Sequence, residues 1–227
     1  KDALQSNTTG DNNTAVGLEA LQTNTTGGSN TAVGTGSLAL ATTANYNTAI
    51  GRAALGVLTT GGNNTSVGAL ALDACTTGDS NTCVGYNAGT AVTTGTNNTY
   101  IGLSAGQANT ESSGNTAIGY QCLQTHDSTS GEGYHYNTAI GHRCMMDADT
   151  SYNCTAVGKE AMENAVDGYN NIAIGAQSAR NAFQSGTGHD NVILGTSAGK
   201  SFTSAEYNIA IGGKALEDAT TLDYTVA

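Results

Sequence analysis

The side chains able to do chemistry are few and dispersed. Eighteen acidic residues, four histidines and five cysteines are spread over 227 residues. Glu19, Asp73, Asp79, Glu111, Glu160 and Glu163 recur at no spacing that would pair two carboxylates across a cleft, as acid–base catalysis requires. His126, His135 and His142 lie close together in the chain, but no i, i+2 or i, i+4 pair of metal-ligating geometry occurs. Cys75, Cys83, Cys122, Cys144 and Cys154 form no Cys-x-x-Cys pair. They read as small buried thiols filling alanine-like places. Neither a Gly-x-x-x-x-Gly-Lys-(Ser/Thr) phosphate loop nor a Gly-Gly-x-Gly-x-Asp calcium repeat is present. The expectation is a protein that is not an enzyme and that uses no cofactor or metal. One constellation stands apart: Tyr134, His135, Tyr136, Tyr152, Tyr169 and His189, all in the second half of the chain.

What positions these residues is a repeat. Anchor glycines stand at Gly17, Gly34, Gly51, Gly68, Gly85, Gly102, Gly119, Gly141, Gly158, Gly175, Gly195 and Gly212. Nine of the eleven intervals between them share one length, the step from Gly17 to Gly34. The other two carry small insertions, near 126–136 and 183–190. Such self-similarity is the signature of stacked coils. The residue before each glycine (offset −1) is Val, Ile or Leu, and offset −3 is Thr in nine coils, then Ile172, Val192 and Ile209. A small residue, usually Ala, separates them. Period-two alternation rich in β-branched residues is a strand. The exchange of Thr for Ile or Val predicts that offset −3 faces an apolar interior.

Offset −4 is Asn in eleven of twelve coils, Cys154 being the exception. Stacked amides can satisfy turn backbone groups from coil to coil. After each glycine, offset +3 is Ala, Ser or Cys and +4 is mostly Leu or Met. This segment is too short for a stable helix and reads as a second strand. The fold class is therefore all-β, a parallel β-solenoid of 17-residue coils, with residues 1–227 one repeat domain. Coils about 4.8 Å apart would make a rod of roughly 55–60 Å.

The pattern Asn-Thr-Ala-(Val/Ile)-Gly-x-x-Ala-Leu resembles the head repeats of trimeric autotransporter adhesins (the YadA-like head), and also the Asn-Thr-Ala-Val-Gly repeats of phage and viral tail fibres. The likeness covers essentially the whole chain, although the 17-residue coil is longer than the adhesin coil. It implies a left-handed parallel β-roll assembled as a parallel homotrimer. It also implies that offset −2 points out of the roll toward a threefold axis. That row is Ala15, Ala32, Ala49, Ser66, Cys83, Tyr100, Ala117, Ala139, Ala156, Ala173, Ile193 and Ala210, with Tyr100 and Ile193 the two bulky exceptions. By this likeness the chain is a structural and receptor-binding segment of a surface fibre, a viral tail fibre or an adhesin, extracellular, with itself and a cell-surface glycan or protein receptor as partners.

Composition agrees with a fibre more than with a globular domain. Gly numbers 31, Pro and Trp are absent, and charged residues are 11%, against roughly 25% in a typical soluble domain. A net charge of −11 repels phosphate backbones and anionic lipid, so no nucleic acid partner and no membrane insertion are expected. The sequence starts at offset +1 and stops just short of a next glycine, so a fragment of a longer fibre is expected. Two alternatives stand beside the receptor-binding fibre: an ice-binding β-solenoid, using threonines stacked at −3 and at +8/+9, or a purely structural spacer. The most specific expectation concerns offset −6, where early coils carry small or polar residues and later ones carry His135, Tyr152, Tyr169 and His189. Stacked rings there, flanked by Tyr134 and Tyr136, would form an aromatic strip suited to sugar rings.

Overall fold

The computed structural model describes residues 1–125, 135–184 and 188–227. Contacts divide the chain into two units, Lys1–Ser113 and Gly114–Ala227. The first unit holds β1 (Thr14–Val16), β2 (Thr31–Val33), β3 (Thr48–Ile50), β4 (Thr65–Val67), β5 (Thr82–Val84) and β6 (Thr99–Ile101). The second holds β7 (Thr116–Ile118), β8 (Thr138–Ile140), β9 (Thr155–Val157), β10 (Gly168–Tyr169), β11 (Ile172–Ile174), β12 (Gly188–His189), β13 (Val192–Leu194) and β14 (Ile209–Ile211). In the first unit each strand pairs with the next, parallel and in register, so that Thr31 lies beside Thr48 and Ala32 beside Ala49. The second unit repeats this through β7, β8, β9, β11, β13 and β14, with β10 and β12 forming a separate parallel pair. Each unit is thus a parallel β-solenoid whose coils follow the glycine interval, with no helix among the described residues.

The anchor glycine is required twice over. Gly17 has φ +138°, and a Cβ there would come within 2.6 Å of the Gly34 carbonyl oxygen on the next coil. Only glycine lets two backbones pass so closely at that angle. The asparagine row then closes the opposite corner. Asn64 is fully buried. Its side chain donates to the Asn47 Oδ1 at 3.0 Å and to the Gly78 carbonyl at 2.8 Å, while its own Oδ1 accepts the Asn81 backbone N–H at 2.9 Å. Repetition of this pattern satisfies one turn carbonyl and one backbone N–H per coil, groups that burial would otherwise leave unpaired. Cys154 interrupts the row: its thiol donates to the Gly168 carbonyl at 3.3 Å in place of an amide.

Two expectations are corrected. The segment after each glycine is not a second strand. Its residues at +2 and +4 hold positive φ, as at Glu19 (+59°) and Leu21 (+49°), and this recurs in the coils that follow. The segment still makes a coil-to-coil ladder, with Leu21 N–H bonded to the Ser37 carbonyl at 3.0 Å and Leu38 N–H to the Ala54 carbonyl at 3.1 Å. Left-handed residues cost roughly 1–2 kcal/mol each. That cost is offset by these bonds and by burial of Leu21, Leu38, Leu55 and Leu72 at 0% exposure.

The second correction reverses inside and outside. From Ala32 to Ala210 the offset −2 row, which includes Ala49, Ser66, Cys83, Tyr100, Ala117, Ala139, Ala156, Ala173 and Ile193, is 0% exposed within the single chain. Ala15, on the first strand, is half-buried. These side chains fill the solenoid interior and do not line an axis between chains. The −1 and −3 rows point outward: Ile50 is 40% exposed and Ile172, in place of Thr, is 39% exposed. Alternation separates two faces without saying which is inner. The small side chains of the Ala49 row are inside because Leu or Met at +4 shares the same narrow interior. Tyr100 and Ile193 confirm the sharing. A Cβ on Gly106 would meet the Tyr100 ring at 2.5 Å, and one on Gly199 would meet Ile193 at 3.1 Å. Where −2 is large, +4 is glycine.

Candidate functional site

Two surfaces follow from this arrangement. The first is the outward strand face of each unit, a Thr row beside a Val/Ile row on in-register rungs. Neither row contains a charged residue, whereas the chain carries −11 overall. On interior rungs Ile50 is 40% and Ile174 43% exposed, and Leu18, Tyr86 and Leu103 extend the apolar surface past the anchor glycines of the first unit, in a row that also holds Arg52. The other threonine row, at +8, uses its hydroxyls internally. Thr25 donates to the Thr42 carbonyl at 3.0 Å and Thr59 to the Thr76 carbonyl at 3.0 Å.

The second surface is the aromatic edge of the second unit. Tyr152 and Tyr169 stack with centroids 5.0 Å apart and planes 3° from parallel, and Tyr169 stacks on His189 at 4.5 Å. The offset −6 row thus brings Tyr152, Tyr169 and His189 together. His135, one coil earlier, is buried. Tyr136 is exposed and its ring lies over Gly114. Tyr134 and His126 fall outside the described residues. The strip then steps to offset −5, which sequence reasoning missed: Tyr207 meets His189 edge-on at 5.0 Å, and Tyr224 stacks on Tyr207 at 5.0 Å. The signal was in the spacing, since Tyr207 and Tyr224 stand one full repeat apart.

Polar groups run beside the rings. Asn153 donates to Asn170 Oδ1 at 3.4 Å, Asn170 donates to Asp190 at 3.1 Å, and Asp190 contacts His189 Nδ1 at 2.9 Å. Glu206 sits 3.3 Å from the other ring nitrogen. Desolvation first, then the neighbouring Tyr152, Glu206 and Asp190, pushes the Tyr169 phenol above its ordinary range. Tyr207 is raised by desolvation and then by Asp190, Tyr224 and Glu206. Both phenols therefore hold their protons to higher pH than an ordinary tyrosine.

A third cluster braces the coils on another edge. Glu163, almost wholly buried, is held by Arg143 at 2.9 Å and Arg180 at 2.6 Å, and Glu160 accepts from Gln177 at 2.8 Å. Each of these carboxylates meets its partners on adjacent coils, as a stacking clamp would. All five cysteines are free and buried. Burial pushes the Cys154 thiol up to about 12. Among the described residues no three His, Cys, Asp or Glu side chains gather where they could hold a metal ion. Compared with known proteins, the chain shows no significant match to a family model, a curated sequence or a solved structure.

Proposed function

We propose that this chain is a structural and receptor-binding segment of a trimeric extracellular surface fibre, viral or cell-borne. The observation that supports it most is the charge-free Val/Ile and Thr face running along every rung of both units. Six rungs at about 4.8 Å, each three residues of about 3.3 Å, present roughly 290 Å² per unit. With Leu18, Tyr86 and Leu103 alongside, each copy approaches the roughly 800 Å² that a stable interface takes from one partner. An uncharged face of that extent, with a continuous Val/Ile row along it, fits an interaction site. A partner with the same rung spacing is a further copy of the chain, in parallel and in register. Trimer contacts then run through the −1 and −3 rows. Three copies would present each edge site threefold, and avidity would supply the grip on a glycan or protein receptor.

Light scattering tests this. A trimer gives about three times the 22.7 kDa chain mass, and Val33→Lys with Ile50→Lys, both outward, splits it while the coils stay folded. A native mass equal to one chain overturns the trimer. One observation favours a second reading, an ice-binding face, because the −3 threonines point outward. That reading needs the face free, so it requires the single-chain mass together with thermal hysteresis.

A further inference from the structure

A strip of rings along a solenoid edge would suit sugars if it offered them open ring faces, and its geometry is different. Tyr152, Tyr169 and His189 cover one another's faces at 4.5–5.0 Å, and Tyr207 and Tyr224 do the same. What remains outward between the stacked rings is mainly edges and phenol ends, with Tyr152 40% and Tyr207 43% exposed. A ligand that relies on stacking its apolar face finds no open face between these rings.

Charge narrows the ligand further. In the second unit every Lys and Arg (Arg143, Lys159, Arg180, Lys200, Lys214) lies shortly after an anchor glycine. The turns that carry the tyrosines hold Asp167, Asp190, Glu206 and Asp223 and no Lys or Arg. Glu206 and Asp223 occupy one row on neighbouring rungs. Like charges so placed repel each other and gain from an added countercharge.

We propose that this tyrosine–carboxylate edge binds an amino-sugar polymer carrying free amines. Ammonium groups on such a chain meet Glu206, Asp223 and Asp190, while its hydroxyls meet the phenols and the Asn153 and Asn170 amides. Charge-assisted bonds supply most of the affinity, and the constant rung spacing lets successive sugars repeat the contact. A lysine chain fits less well, because its apolar stems would need the ring faces that stacking has already covered. The proposal rests on the reading of the segment as receptor-binding but not on the trimer, whose mass is measured separately.

The test is calorimetry on the full chain with three probes: a glucosamine oligomer with protonated free amines, the same oligomer fully N-acetylated, and an oligolysine of equal charge. The free-amine oligomer should bind, with affinity falling as salt rises, and acetylation should weaken it at least about ten-fold. Glu206→Gln with Asp223→Asn should cost about ten-fold, and so should Tyr224→Phe, which keeps the ring stacked on Tyr207 and removes only the phenol hydroxyl. Asp73→Asn, in the first unit, should change nothing. Equal binding of the acetylated oligomer, equal or tighter binding of oligolysine, or unchanged affinity in the folded edge variants would each overturn the assignment.

Discussion

The shared interior of Tyr100 and Gly106 makes a quantitative prediction about substitution in pairs. Tyr100→Ala empties a fully buried site, which costs about 3–5 kcal/mol for an aromatic side chain. It also removes the hydroxyl that accepts from Asn109 Nδ2 at 3.0 Å, leaving a buried amide without that partner, for about 1–2 kcal/mol more. Gly106→Leu alone drives a side chain into the Tyr100 ring, since even a Cβ would come within 2.5 Å of it. Overpacking of this kind costs about 1–3 kcal/mol or more, with about 1–2 kcal/mol added for a leucine at φ +59°. Independent effects would therefore sum to at least about 6 kcal/mol. The double variant instead recreates the combination of Ala49 with Leu55, where leucine already holds φ +50° in a filled interior. It should lie within about 2–3 kcal/mol of the parent, the Asn109 amide and the space left beside Gly89 together setting the remainder. A coupling of at least about 3 kcal/mol, read from denaturant midpoints of the four proteins at constant m, is the expected result. Additivity within about 0.5 kcal/mol would refute the shared interior.

Three further outcomes follow. Cys154→Asn should complete the buried amide row between Asn137 and Asn171 and stabilise by about 1 kcal/mol in denaturant titration, whereas a loss would show that the thiol is the better fit. Glu163→Gln removes the charge between Arg143 and Arg180 and should destabilise by about 2–3 kcal/mol in the same assay, against a neutral result if the pair is only superficial. The pH limits are opposite in sign. Glu160 is held below its ordinary range, chiefly by the Gln177 hydrogen bond, so its contribution is present above the unfolded carboxylate range and is lost as pH falls through the lower folded value. Tyr169 and Tyr207 are raised, so theirs is present below the ordinary phenol range and is lost as pH rises through the higher folded values. Thermal scans should show a shallower acid limb for Glu160→Gln and a shallower alkaline limb for Tyr169→Phe.

The glycine interval, the Thr-Ala-Val strands and the asparagine row were legible in the sequence because each is a repeated demand on the backbone. Which strand face turns inward was not, because Thr and Val suit a solvent-facing sheet as well as an interior one. The deciding clue was a pair of positions: Tyr100 with Gly106, and Ile193 with Gly199. Read singly, each looks like a misfit on an axis, and read together they preserve interior volume. The turn-built segment after the glycine was hidden for another reason. Leucine at positive φ contradicts its local preference, so only the coil-to-coil bonds of the finished stack account for it. In the aromatic edge, Tyr152, Tyr169 and His189 were visible as a row. Tyr207 and Tyr224 were missed because the strip changes row by one position as it passes His189.

The coupling of Tyr100 to glycines on two coils bears on how such a chain can change length. Most coils satisfy their interior with their own Ala and Leu and meet each neighbour through the same bonds, so one could be duplicated or dropped with every contact type retained. The coil of Tyr100 is different, because its ring also lies against Gly89 of the coil before it, where a Cβ would come within 3.1 Å. Those two coils form an inheritance block. Recombination that parts them would set the ring against a leucine, so breakpoints that survive should fall on either side of the stretch from Gly85 to Gly106 and not within it.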